Sequence, residues 1–433
     1  MTDAYPFLSH RVLFTPLIYE NVYGDAVDVT QDIDITDFIS SIGTIRQEID
    51  NGDDDFGIFT FGNISLTAIN HHGKFNDQNW NGISIFPYRR DRTKVEIEFR
   101  DKENAASTRF VGLINDDATR HNLRDDTVSF TVLSLDSILR QVRVSPGSIV
   151  DGDLFSLAIK KVLNVPDITA TIDYSAANVS VDLDLTIDSG ETFSNKTASE
   201  ALNDLLLASN SILYVDFGGT VYVKPRTESA TIFYLHGRGD PYGRNSILEI
   251  TDYNDGLQRA FSSIKLSDQT TRTSDAWVTA YGFRQKSVSF DFITDTDKEE
   301  QIGDRLLREF VVPKAELKVK VRSEDVAGIE LLDLVSVNYP RMIFPDAEYG
   351  EIPMFGTAEF GTARFPVEYG SFEIDANIKW KVIGIDNQPE AFTTTLKLRQ
   401  AGDETGGGYF DGIVTFGGVT VTFGGEEVDF GGL

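Results

Sequence analysis

Residues 28–75 read DVTQDIDITDFISSIGTIRQEIDNGDDDFGIFTFGNISLTAINHHGKF. The phrase IDITDFI at 33–39 opens as a strand, SIGTIRQEID follows, a Gly/Asp turn breaks the pattern, and FTFGNISLTAINHHGKF resumes it. Both arms read as strands of one β-domain. Two segments downstream show the two-residue period of a half-buried strand. In KVEIEFR, Val95, Ile97 and Phe99 alternate with Glu96, Glu98 and Arg100; in TVSFTVL, Val128, Phe130 and Val132 alternate with Ser129 and Thr131. TRFVGLINDD at 108–117 is a further strand leading to an acidic turn. Ser134 is placed to cap a short helix with Leu135, Ile138, Leu139 and Val142 on one face. This β-block ends near SPGS at Ser145–Ser148.

The next stretch changes character. Asp153 is placed as the N-cap of LFSLAIKKVLN, with Leu154, Leu157, Ala158 and Val162 on one face and Pro166 as the stop. TASEALNDLLLASN carries a capping box at Thr197 and Glu200 and a stripe of Ala201, Leu202, Leu205 and Ala208. SILYVDFGGTVYVKPR then reads as a hairpin turning at Gly218–Gly219. Strands return over 245–400: SSIKLS, WVTAYGF, KSVSFDF, ELKVKVR, LLDLVSVNYP, IKWKVIGIDN and AFTTTLKLR. A second capping box, Thr296 and Glu299, precedes Ile302, Leu306 and Phe310.

Composition agrees with a turn-rich β protein of two or three domains. The chain has 433 residues, 41% of them apolar, with 30 Phe, 15 Tyr and 36 Gly. Lys and Arg total 39 against 68 Asp and Glu, a net charge of −29. Nucleic-acid binding needs clustered cations; the densest basic stretch, YRRDR at 88–92, contains an acid and reads as a solvated loop. No specific nucleic-acid binding is expected. With no cysteine, disulfides, thiolate metal sites and Cys nucleophiles are excluded. The N-terminal MTDAYPFLSHRVLF lacks the basic and apolar regions of a signal peptide, and no apolar run approaches the ~20 residues of a membrane helix.

These segments resemble the baseplate and tail-tip hub proteins of tailed bacteriophages. The resemblance rests on the 28–75 phrases, on the helix that feeds a hairpin ending in VKPR, and on the terminal set LLDLVSVNYP, VIGI and TTTLKLR. One departure is Leu332–Asp333 where the hub pattern has Gly–Asp. It implies a mainly β fold with α+β parts: two β-barrel-like hub domains, 1–145 and 227–402, flanking a small α/β domain at 146–226. It also implies a homotrimer whose six barrels join a sixfold tail tube to the distal tip and leave a channel for DNA. The implied partners are other tail-tip or baseplate proteins, the tail tube or distal tail protein and the tape-measure protein. The implied place is the virion tail tip or baseplate, assembled in the host cytoplasm. Some tail-tip proteins hold an iron–sulfur cluster on cysteines; this chain has none to offer. A tail adhesin or carbohydrate-binding protein and a tail-tip cell-wall hydrolase are the competing classes.

Two stretches fall outside the resemblance. The insertion at 339–376 is rich in Gly, Pro and aromatics and offers Phe355, Phe360, Phe365 and Tyr369 as partner contacts. Residues 403–433 form a repeat tail: GIVTFGG, VTVTFGG and EEVDFGG, with Phe416, Phe423 and Phe430 before each Gly pair. Either these units pack onto another chain or the barrel surface, or they form a flexible low-complexity tail.

No catalytic, cofactor or metal site is assigned. Adjacent His71 and His72 on an extended chain point to opposite faces and read as a polar turn. The acids of DNGDDD (50–55) lack the calcium-loop pattern. HGRGDPYG (236–243) is read as a turn. There is no G-x-S-x-G, H-E-x-x-H or P-loop, and no enzymatic activity is expected.

Overall fold

The computed structural model describes residues 9–15, 19–20, 26–27, 33–49, 62–70, 75, 93–100, 106–169, 171–216, 218–226, 232–237, 246–254, 256–267, 270–326, 328–339, 374, 378–401, 413–416 and 419–422. The fold is mainly β with several helices.

The N-terminal strands are β1 (Ser9–Thr15), β2 (Tyr19–Glu20), β3 (Ala26–Val27), β4 (Ile33–Asp34), β5 (Ile39–Ile42), β6 (Ile45–Glu48), β7 (Asn63–Ile69), β8 (Lys94–Arg100), β9 (Ala106–Asn122) and β10 (Thr127–Ser134). Seven of them form one antiparallel sheet in the order β4-β1-β8-β9-β10-β7-β5. Its two edge strands are neighbours in the chain, joined by a single 3-10 turn, Thr36–Phe38. The sheet therefore curls until its edges are separated by one turn, and IDITDFI is the segment that bridges them. Ile35 is buried in that bridge and donates its N–H to Val12 O at 3.0 Å. Thr36 Oγ1 accepts from Val12 N at 2.9 Å. The alternating residues named above point inward: Val95, Ile97, Val128, Phe130 and Val132 share a core with Val12, Phe14, Ile64 and Leu66. Phe14 meets Phe130 edge-on at 5.9 Å, and Phe75 extends the ring contacts to Phe38.

Strand β9 does not stop at the acidic pair as expected. It continues to Asn122, and the turn falls at 123–126, with Asp126 at φ 50. Register shifts against β8 and β10 let so long a strand follow the curl. The helix expected after Ser134 is a 3-10 turn, Leu135–Arg140, and Ser134 makes no capping bond.

Residues 146–226 hold α1 (Phe155–Leu163), α2 (Pro166–Thr169), α3 (Ala198–Ala208) and the hairpin β11 (Ser211–Val215) and β12 (Val221–Pro225). Asp153 is not the cap of α1; Leu154 holds that position, and Asp153 accepts from Val150 N at 2.9 Å and Lys161 Nζ at 2.6 Å. The buried face is also rotated from the expected one. Phe155, Ala158, Ile159, Val162 and Leu163 point inward, while Leu154 and Leu157 stay 41% and 42% exposed. The large ring decides this: Phe155 packs edge-on against Phe292 at 5.8 Å. Pro166 opens α2 at the position where a missing N–H costs nothing. The capping box of Thr197 and Glu200 forms as read, and Ala201, Leu202, Leu205 and Ala208 are all buried.

The remaining elements are β13 (Ile232–His236), β14 (Ile247–Asn254), β15 (Ser263–Lys265), β16 (Thr271–Thr273), α4 (Asp275–Tyr281), β17 (Gln285–Ser287), α5 (Thr296–Phe310), β18 (Glu316–Arg322), β19 (Leu334–Asn338), β20 (Lys379–Gln388), β21 (Thr393–Gln400), β22 (Ile413–Phe416) and β23 (Val419–Thr422). WVTAYGF, expected as a strand, belongs to α4, which ends on Gly282 at φ 85. Only the first residues of KSVSFDF pair, as part of β17. The second capping box does not form. Asp295 caps α5 through Asp297 N, and Glu299 instead accepts from the Ser267 and Thr270 hydroxyls at 2.8 and 2.5 Å. Ile302, Leu306 and Phe310 are buried in the core of α1 and α3.

A second large sheet runs β13-β19-β20-β21-β18-β14, with β6 also paired to β20. Here too the edge strands are consecutive. They meet at Ser246, whose hydroxyl accepts from His236 N at 2.9 Å. In ELKVKVR, Leu317, Val319 and Val321 face the core, as their alternation requires. Within the first two tail repeats, β22 pairs antiparallel with β23, Phe416 opposite Val419.

Candidate functional site

Glycine 43 and Thr44 separate β5 from β6, and across them the chain changes sheets. Strand β5 pairs with β7 of the first sheet; β6 pairs with β20 of the second, Glu48 opposite Gly384 and Arg46 opposite Asp386. Arg46 Nε lies 2.8 Å from Asp386 Oδ1, and that hydrogen bond holds the guanidinium more firmly protonated. Lys397 Nζ lies 2.5 Å from Glu48 Oε1. Gln47 Nε2 reaches Val215 O at 3.4 Å, so the same strand also touches the hairpin of the middle unit. From the other side, the β20–β21 turn leans on the first sheet. Glu390 Oε1 accepts from Ile42 N at 3.3 Å, and Phe392, at φ 50, packs against the first core. Burial lowers the pKa of His10 in this joint despite the charge of Glu390. The arrangement joins the two sheets through backbone, charge and apolar contact together.

Buried and half-buried acids gather near the middle unit. Asp136 is wholly buried and its carboxyl is pushed up to about 7; the nearby Ser134 hydroxyl falls short of a hydrogen bond, and burial dominates. Burial also raises Asp216, with Asp173 adding to it, and Glu330, with Asp216 and Asp333 adding. Their bonds are those of turns: Asp216 accepts from Thr220 N at 2.8 Å, and Asp333 from Glu330 N at 2.8 Å. Beside them Tyr214 and Tyr222 stack at 5.4 Å, with Lys224 Nζ over both rings. Among the described residues, no group of three or more His, Asp or Glu is arranged to hold a metal ion. No described helix is long and apolar enough to cross a membrane.

Strand β13 stands out as an uncharged sheet edge that is exposed; β11, also uncharged, is buried along its length. Strand β13 bonds to β19 on one side and, among the described residues, to no strand on the other. Its sequence, IFYLH, has no Asp, Glu, Lys, Arg or Pro, and Ile232 and Tyr234 are 42% and 63% exposed. Natural edges are guarded by charge, proline, bulges or shortness. The opposite edge, β14, has Glu249 and Asp252; β5 has a bulge; β4 has two residues; β16 and β17 have three each with a cation. Sequence reading passed over β13. Its signal was an uncharged aromatic run in a chain where a quarter of the residues are charged.

The expected insertion contacts Phe355, Phe360, Phe365 and Tyr369 lie outside the described residues. So do Phe423, Phe430, His71, His72, the acids of 50–55 and the RGD tripeptide of 238–240. Phe416 is the last residue of β22.

No protein-family model matches the chain, and no curated sequence matches it. Solved structures do. The chain superposes on the tail protein from Neisseria meningitidis MC58 with a TM-score of 0.54 at 13% identity, over 90% of this chain and 96% of that one. The prophage MuSo2 43 kDa tail protein from Shewanella oneidensis gives 0.49 at 10% identity, over 90% and 97%. The prophage tail protein gp18 from Listeria monocytogenes EGD-e gives 0.46 at 10%, over 91% and 95%. The shared fold is read from the first of these and spans nearly the whole of both chains.

Proposed function

We propose that this chain is the structural hub of a phage tail tip or baseplate. The observation that carries the reading is the fold shared with a tail protein over 90% of the chain. Two curled sheets of similar size in one chain support the finer part. Three copies would present six such sheets in a ring, which matches a threefold tip to a sixfold tube. In this reading 1–145 and 227–402 are the two hub barrels, and 146–226, with α5 packed on it, is the spacer between them. Phe355, Phe360, Phe365, Tyr369, Phe416, Phe423 and Phe430 are contacts to tail partners. A net charge of −29 suits a lumen that DNA passes without sticking, since like charge repels the phosphates. The role is structural and needs no catalytic group.

Two measurements test this. Native mass spectrometry of the purified protein is expected to give three chains. Electron microscopy of the virion is expected to place the chain at the tail tip with threefold symmetry. A stable monomer, or sixfold placement along the tail, would overturn it.

A further inference from the structure

From the open edge of β13 and the tail repeats we infer that the C-terminal repeat strands of one copy add to β13 of a neighbouring copy. The inference rests on the trimeric reading and names the contact that would close the ring.

Three observations converge. First, β13 has no charged residue and, among the described residues, no strand beyond it; His236 N is taken by Ser246 Oγ, but Ile232 and Tyr234 stay exposed, and such an edge is a template for another strand. Second, the tail supplies strands of matching chemistry. IVTF of β22 and VTVT of β23 are uncharged and, apart from Phe416, β-branched, and among the described residues this hairpin pairs with no other strand. An isolated two-stranded hairpin is marginal in water, so it gains by joining a sheet. Third, the exit point is right. Ala401 N donates to Lys379 O at 2.9 Å; Lys379 pairs with Ser336, and Ser336 with Tyr234. The tail thus leaves the sheet in the same row as Tyr234, about three strand spacings or ~14 Å from it. Residues 402–412, fully extended, reach up to about 36 Å, enough to pass beyond its own sheet.

Donation between copies suits the trimeric reading. A tail that docks on a different surface of the next copy makes a heterologous contact, and such a contact gives a ring where its rotation closes and an open filament where it does not. Main-chain hydrogen bonds supply the affinity in strand addition, and the exposed Ile232 and Tyr234 supply the register.

The chain contains no cysteine, so introduced thiols are unique. Tyr234→Cys and Val421→Cys together, treated with a short bis-maleimide, are expected to give covalent dimers and trimers. Either substitution alone is expected to give none. Deleting 402–433 is expected to shift the native mass from three chains to one while the remaining fold keeps its far-UV circular dichroism and a cooperative unfolding transition. Tyr234→Lys in the full chain is expected to weaken trimer association at least tenfold. Full-length trimers that persist after the deletion and after Tyr234→Lys, with no cross-link between chains, would overturn the docking and leave the trimer standing. Cross-links confined within one chain would also overturn it. A full-length protein that is monomeric throughout would remove the trimer itself.

Discussion

Glu48 and Lys397 form an ion pair across a residue with no side chain. Gly384 of β20 pairs with both, Glu48 on one side and Lys397 on the other, and the carboxylate and ammonium meet over it at 2.5 Å. A Cβ built on Gly384 would lie 3.1 Å from Lys397 Cβ and 3.5 Å from Glu48 Cγ. The glycine of the VIGI phrase is therefore the gap through which the seam between the two sheets closes.

Gly384→Val fills that gap with a branched side chain. It is expected to cost about 1–3 kcal/mol, the usual range for overpacking a fitted site. Gly384→Ala should cost clearly less, because its Cβ needs only a small shift of Lys397. Urea unfolding of the three proteins gives the comparison, and equal midpoints for Gly384→Val and the parent would refute the packing argument.

Asp136 makes the fold less stable as pH rises. Its carboxyl is raised to about 7 by burial, above the ordinary value near 3.9. The folded protein holds the proton more tightly, so the cost is absent below the unfolded value and fully present once pH exceeds the folded one. Asp136→Asn is expected to stabilise at pH 8 by up to roughly 3–4 kcal/mol and to be nearly neutral at pH 4. Melting curves at both pH values check it; a difference that does not change with pH would be the contrary result.

Asp188 behaves in the opposite sense. Burial opposes its charge, but Lys298 and the N–H groups of Thr294 and Asp295 outweigh that, and its carboxyl lies below the usual range. Asp188→Asn should destabilise at neutral pH by about 1–3 kcal/mol, the range for losing bonds to a charged group. The loss should disappear as pH falls through the lowered pKa. Chemical denaturation from pH 7 to pH 3 follows it directly, and a penalty undiminished at pH 3 would count against the assignment.

Helix α1 allows a test of which face is inside. Phe155→Ala should cost about 3–5 kcal/mol, because Phe155 is fully buried and meets Phe292. Leu157→Ala should stay within about 0.5 kcal/mol. The sequence-based assignment of the buried face predicts the reverse order, so one pair of unfolding curves decides between them.

Much of the β architecture was legible because alternation is a local signal. KVEIEFR, TVSFTVL and ELKVKVR each pair where their period places them, and the Thr197–Glu200 box and the Gly218–Gly219 hairpin need no distant partner to form. The errors occurred where a distant partner decides. Phe292 rotated α1, the Ser267 and Thr270 hydroxyls drew Glu299 away from its cap, and a seven-residue helix stood where aromatic content suggested a strand. The candidate sites were the least legible. Nothing in IRQE says that it will pair in another sheet, and an open edge such as β13 is defined by what does not lie beside it.

The passage of β6 between sheets also sets an order of events during synthesis. Arg46 and Asp386 are 340 residues apart in the chain, and at ~5–20 residues per second the ribosome takes roughly 20–70 s to cover that interval. For all that time β6 is a strand whose partner does not yet exist. That strand carries Arg46 and Glu48, and these charges keep it from pairing with the wrong chain while it waits. The seam therefore cannot form until β20 has been made, and a nascent chain cut short before it would carry a first sheet whose strand β6 lacks its partner.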